Sequence, residues 1–234
     1  MNIKRISRQV LCFYLILGFS HFTSKLLNAQ SANLGSMQEI SIIKRVNDLW
    51  KLNVNLESRI EHFDTKNLNS NLETHYVLTD LSVLASRKLN HNYTLGFGYL
   101  SRFQNSDRIN RFIQQLTVVD RSFRYTFSHR FMADQTFITT ENISYRLRYR
   151  FVFERALSGL RVDAKEWYLK VGNEIVTIYR NELFNLEYRI TPTIGYAFSN
   201  ASKLELGLDT RYKSLVHNEI EFENWLTINW FYSF

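Results

Sequence analysis

From Leu49 to the C-terminus, side-chain polarity changes at every second residue, and this limits the chain to extended, two-faced strands. The clearest case runs from Ser144 to Glu154. Tyr145, Leu147, Tyr149, Phe151 and Phe153 share one parity, and Ser144, Arg146, Arg148, Arg150 and Glu154 share the other, with Val152 the exception. One face is then a wall of rings and the other a ladder of guanidinium groups. Trp50, Leu52, Val54, Leu56 and Ile60 alternate in the same way with Lys51, Asn53, Asn55, Glu57, Arg59 and Glu61. Phe123, Tyr125, Phe127 and Phe131 alternate with Arg124, Thr126, Ser128, Arg130 and Asp134. Phe184, Leu186, Tyr188, Ile190, Ile194 and Tyr196 alternate with Asn185, Glu187, Arg189, Thr191 and Thr193. Leu204, Leu206 and Leu208 alternate with Glu205, Gly207, Asp209 and Arg211.

The pattern predicts about 10 strands (range 8–12), over 49–61, 74–87, 93–104, 109–119, 122–137, 142–157, 164–179, 184–198, 202–213 and 221–234. Tight turns are expected at Lys88–Asn92, near Asp120 and at Ser199–Ala201, a medium one at 158–163, and longer loops at 65–71 and 215–220. Residues 31–48 lack the alternation, and 30–47 read as a periplasmic lead-in, either a short helix or a loose segment. An even strand number places both ends of the barrel domain, 48–234, on one side.

The N-terminus has the three parts of a secretory signal: a basic start from Met1 to Arg8, the apolar run Val10–Phe19 and a cleavage region at Asn28-Ala29-Gln30. The run is half the length of a spanning helix, so residues 1–29 are expected to be a cleaved signal peptide. With Lys4, Arg5, Arg8 and Lys25 set aside, 25 basic groups face 22 acidic ones, a net of +3 without like-charged runs. That balance excludes a general nucleic-acid surface. The only cysteine, Cys12, lies in the signal, which excludes disulfides, thiolate zinc sites and a thiol nucleophile beyond it.

Alternation also fits a soluble sandwich with its apolar side inward. Strand length, export and the C-terminal strand favour a membrane barrel. Leu226, Ile228, Trp230, Tyr232 and Phe234 place apolar groups at alternate positions up to a terminal Phe. This resembles the signal read by the outer-membrane barrel-assembly machinery. The expected fold is therefore all-β: a closed antiparallel up-and-down transmembrane β-barrel, apolar outside and charged within. Its lumen would carry a charge network of Glu57, Arg59, Arg130, Asp134, Arg146, Arg148, Arg150, Glu154, Glu174, Glu187, Arg189, Asp209 and Arg211, with Glu61 and Glu205 on the same face. A lumen of this size is narrow enough for side chains to fill, and each charge in it needs a partner.

No HExxH, phosphate loop or GxSxG is present, and His62, His75, His91, His129 and His217 lack metal-ligand spacing, so neither cofactor nor metal is expected. His129 falls on the outward face, while its neighbour Ser128 points the other way, so a wall-mounted lipid hydrolase there lacks its nucleophile. Lys170 with Asn173-Glu174 reads as lumen filling before solute binding, and Trp167, Tyr168, Trp225 and Trp230 as candidates for interfacial aromatic girdles.

The segments RFIQQLTVV, FSHRFMADQTF, SYRLRYRF, YLKVGNEIV and NLEYRITPTIGYAFSNASKLELGL, in that order, resemble the outer-membrane family catalogued as domain of unknown function 2490. The resemblance covers about 48–234. Its most specific pieces are Arg146 to Arg150, Asn173-Glu174 and Arg189 through Gly195-Tyr196. The chain departs from the usual pattern at Met132 and Asp134, where members tend to carry Arg and Glu. The resemblance implies an outer-membrane barrel of Bacteroidota and other Gram-negative bacteria, and no activity. The sequence thus points to a monomeric barrel in the outer membrane, with lipid and the assembly machinery as partners. It would be a structural or interaction protein or a narrow solute channel. The alternatives are a lipid-modifying enzyme and a secreted barrel holding an apolar ligand.

Overall fold

A computed structural model describes residues 31–64, 74–105, 107–138, 142–217 and 220–234; the expected signal peptide lies outside them. Eleven strands follow one another: β1 (Ser31–Arg45), β2 (Trp50–Asp64), β3 (His75–Lys88), β4 (Tyr93–Gln104), β5 (Asp107–Ser122), β6 (Tyr125–Phe137), β7 (Ser144–Ala156), β8 (Glu166–Arg180), β9 (Leu183–Ala197), β10 (Ser202–Lys213) and β11 (Glu221–Ser233). They form a closed barrel in which sequence neighbours pair antiparallel, and β1 closes the ring against β11. The closing pair is parallel, from Ser31↔Glu221 to Ile43↔Ser233.

Two expectations are corrected here. The strand number is eleven, against about ten, because residues 31–45 are a strand and not a lead-in or helix. Neither face of β1 is uniform. Outward it carries Leu34, Ser36, Gln38, Ile40 and Ile42, and inward Gly35, Met37, Glu39, Ser41 and Ile43, so the period-two signal cancels. Pairing on both edges makes it a strand, with Ile40 between Leu56 and Trp230 and Ile42 between Val54 and Tyr232. The odd number also separates the first and last described residues. Ser31 lies at one end of the barrel, here called upper, and Phe234 at the other, lower end.

The lower end carries connections 46–49, 89–92, 123–124, 157–165 and 198–201; β2 and β3, β4 and β5, β6 and β7, β8 and β9, and β10 and β11 meet at the upper end, with 2 to 10 residues between them in sequence, and the longer loop expected at 65–71 lies outside the described residues. Loop length therefore does not separate the ends cleanly. The turn expected near Asp120 sits at Phe123–Arg124, since Asp120, Arg121 and Ser122 still pair with Phe127, Thr126 and Tyr125. Phe123 leaves the strand with φ 43°. Asn181 and Glu182, with φ 50° and 63°, make the two-residue hairpin turn whose twist matches its strands.

Directly paired residues share a face, so one parity can be followed around the ring. Arg59, Leu78, Asp80, Arg102, Arg111, Asp134, Arg146, Val176, Glu187, Arg211 and Trp225 all lie on the inward side. The other parity is exposed, with Leu206 45%, Leu226 53% and Ile175 46% accessible. Tyr168 and Trp225 are buried inside, which removes them from the expected girdles; Trp167 and Trp230 do face outward. Both internal rings need glycine. A Cβ on Gly195 would lie 2.2 Å from the Tyr168 ring, and one on Gly35 would lie 2.5 Å from that of Trp225.

Candidate functional site

The interior is filled unevenly. In its upper half arginines meet short carboxylates. Asp134, fully buried on β6, takes Arg146 Nε at 2.6 Å and Nη2 at 3.1 Å from the adjacent strand. Arg148 Nε stands 3.1 Å and Arg111 Nε 3.4 Å from the same carboxylate, so three arginines converge on it. Arg111 also donates to Thr136 at 2.9 Å, and Met132 Sδ accepts from Arg148. The departures at Met132 and Asp134 are thus both held by arginine. Asp80 and Arg102 form a two-pronged pair at 2.8 and 2.7 Å. Glu57 with Arg59, Glu187 with Arg189 and Asp209 with Arg211 pair within their own strands, each at 2.7 Å. Residues two apart share a face, so an acid-x-Arg spacing places both groups side by side. The Trp225 ring lies 5.9 Å from the guanidinium carbons of Arg59 and Arg211, closing the remaining gap.

Glu174 lies 3.7 Å from Arg148 and opposite Arg189 in the ladder. Arg130 and Arg150 stand side by side on β6 and β7, with Glu174 next in register on β8. Glu154 is apart from the other network residues, lower down, near Lys170 and Lys203. It lines a cavity of about 620 Å³ at the lower end, with Arg45, Lys51, Tyr168, Lys170, Lys203, Glu205 and Phe231. Tyr168 donates to Glu205 at 2.8 Å, and Lys170 pairs with the same carboxylate. Lys51 lies within the fields of Arg45, Lys88 and Arg121, a cationic mouth.

The outer wall carries its own polar contacts. His129 Nδ1 lies 2.9 Å from Tyr149 Oη, in a ring cluster with Phe127, Phe151 and Phe131. Ser128 faces inward beside Val152. Gln114 and Gln135 exchange hydrogen bonds at 3.0 and 3.1 Å, and Tyr188 donates to Asn173 at 2.7 Å. Asn173 is therefore on the wall, opposite in facing to Glu174. Between β1 and β2, His62 Nε2 lies 2.9 Å from Ser36 Oγ. Leu226, Ile228, Trp230 and Tyr232 all face outward on β11.

Sequence reasoning missed Asp80, Arg102, Arg111, Lys213 and Glu223 in the interior, where Lys213 and Glu223 pair at 2.5 Å. Parity carried from Glu57 to its partner Asp80 and on to Arg102 would have found the first two. It also missed Ser36, which has no such signal while β1 is read as a lead-in. A family model described as "Protein of unknown function (DUF2490)" matches residues 35–220, starting within β1. Neither a curated protein nor a solved structure matches the chain.

Proposed function

We propose that this chain, which belongs to the DUF2490 family, is an outer-membrane barrel with a plugged lumen. It acts through its wall and its two ends, as a structural or interaction protein, and not as an open channel. The observation that carries the proposal is the inverted distribution of polarity: charges converge inside, while Leu206, Ile175, Leu226 and their neighbours cover the outside. A soluble barrel reverses this order, because apolar surface is driven out of water. An apolar ligand has no counterpart in an interior lined by Asp134 and three arginines. Strands of 12 to 16 residues exceed the 9–11 needed to cross a tilted bilayer. Exposed rings mark both ends of the wall, Trp50, Tyr93 and Trp167 below and Phe63, Tyr76 and Tyr179 above, as interfacial belts do.

A single substitution on the wall tests the placement. Leu206 stands between Ile194 and Ile228 at mid-strand. In lipid, Leu206→Arg costs about 2–4 kcal/mol at the bilayer centre. In water the same change is near neutral. Urea unfolding in phospholipid vesicles, together with fractionation of the expressing cells, reads the difference. Recovery of wild-type protein in a detergent-free soluble fraction contradicts the proposal. Deleting Phe234 is expected to lower the folded yield in the membrane, as an assembly signal requires; normal yield refutes that role. Purified protein in planar bilayers is expected to leave conductance at background.

A further inference from the structure

The polar pairs on the wall differ in chemistry. Gln114 with Gln135 and Asn173 with Tyr188 satisfy one another without setting a nucleophile beside a base. Ser36 and His62 do set one there, with Oγ and Nε2 2.9 Å apart on the outward side. Gln38 Nε2 donates to Ser36 Oγ at 2.9 Å. The hydroxyl can accept from that amide and direct its own proton to the imidazole. Local backbone geometry produces the contact. The β1–β2 register shifts at this point, with Gly35 opposite Glu61 and Leu34 opposite Phe63, so His62 is the extra residue of a bulge. A bulge re-aims a side chain that regular pairing would carry elsewhere.

We propose that Ser36 and His62 are the nucleophile and general base of an acyl-ester hydrolase site on the outer wall. The choice of lipid as substrate rests on the membrane placement proposed above; the pair itself needs only the closed barrel. Ser36 Oγ attacks the ester carbonyl carbon as its proton passes to His62 Nε2. The bond from that carbon to the alcohol oxygen then breaks, and His62 returns the proton to the departing alkoxide. Water, deprotonated by His62, next attacks the acyl-serine and releases fatty acid, restoring the hydroxyl. Gln38 Nε2 donates one N–H to Ser36 Oγ, and its second N–H is a donor at hand for the developing oxyanion.

Position supports an acyl substrate. Ser36 is flanked in register by Ile60 and Leu226, so an acyl chain on either side of it meets apolar wall. Two residues above it the wall reaches Leu34 and Phe63, and Ile60 pairs with Tyr76. Through Ile60, Tyr76 stands on the same rung of the ladder as Ser36, and Phe63 stands about 7 Å above it. Rings of this kind mark the headgroup level, which places Ser36 near the depth of lipid ester bonds.

The test uses the full chain purified in detergent, with heat-modifiable gel migration confirming that each variant is a folded barrel. The probes are a fluorophosphonate, the p-nitrophenyl ester of a short fatty acid, and phosphatidylglycerol in mixed micelles. Wild type is expected to take the fluorophosphonate on Ser36 and to hydrolyse both esters. Ser36→Ala should abolish both signals. His62→Gln should slow turnover about 10²–10⁴-fold, and Gln38→Ala about 10²–10³-fold. His129→Ala should leave the rate unchanged. Wild type that takes no probe and releases no fatty acid overturns the site, even where fractionation places the barrel in the membrane. Wild-type rates in Ser36→Ala do the same. Hydrolysis of the soluble ester alone overturns lipid as the substrate while leaving the pair intact.

Discussion

Above Arg150 the barrel interior is arginine against carboxylate, and below it the lining opens into a cavity edged with lysine. The same strands supply both halves, so the difference lies in the side chains. In the upper half, planar guanidinium groups meet Asp80, Asp134 and Asp209 through short, directed contacts, and Trp225, Leu78 and Val176 fill what remains. In the lower half, Arg45, Lys51 and Lys203 line the cavity with no ion pair among the described residues, while Lys170 holds Glu205. An unpaired charge is tolerable only where water reaches it. The comparison teaches that the barrel is closed by paired charge at one end and left hydrated at the other.

Substitutions in the two halves should therefore differ in cost. Asp134→Ala strips three arginines of their shared carboxylate and should destabilise the barrel by roughly 3–5 kcal/mol, read from urea unfolding in detergent. A loss below 1 kcal/mol would mean that this half is hydrated too. Gly195→Ala should cost about 1–3 kcal/mol by pressing on Tyr168, and most of that should return in the double variant with Tyr168→Ala. Tyr168→Phe removes one hydrogen bond to Glu205 and should cost about 1 kcal/mol. Lys51→Ala, at the cationic mouth, should fall within about 0.5 kcal/mol of wild type; a large loss there would erase the distinction between the halves.

The period of two made β2 to β11 legible, because in most of them the charges gather on one face and the apolar groups on the other, with Leu78, Ile113 and Val176 as inward exceptions. Parity put Glu57, Arg59, Glu187, Arg189, Asp209 and Arg211 on one common face, and strand length, the expected export and the C-terminal strand turned that face inward. β1 could not be read this way. Ser36 and Gln38 interrupt its outward side and Met37 and Ile43 its inward side, so its identity rests on partners far away in sequence. With β1 went the odd strand number, the separation of the first and last described residues and the Ser36–His62 contact, which also needs a bulge. Tyr168 and Trp225 were misplaced for a different reason. Ring chemistry suits an interface, but their parity turns them inward, where Gly195 and Gly35 leave space.

Cys12 is the only cysteine in the chain and lies in the expected signal, so single-cysteine spin labels can be placed along β10 at positions 204, 205, 206 and 208. Accessibility to dissolved oxygen and to a water-soluble nickel chelate, measured in phospholipid vesicles, should follow side-chain parity. Labels at 204, 206 and 208 should favour oxygen, and one at 205 should be shielded from it; 207 is left as glycine, because a Cβ there would meet Pro192 O at 2.8 Å. Equal accessibility along the segment, or high nickel contact at 206, would contradict a wall that faces lipid around a charged interior.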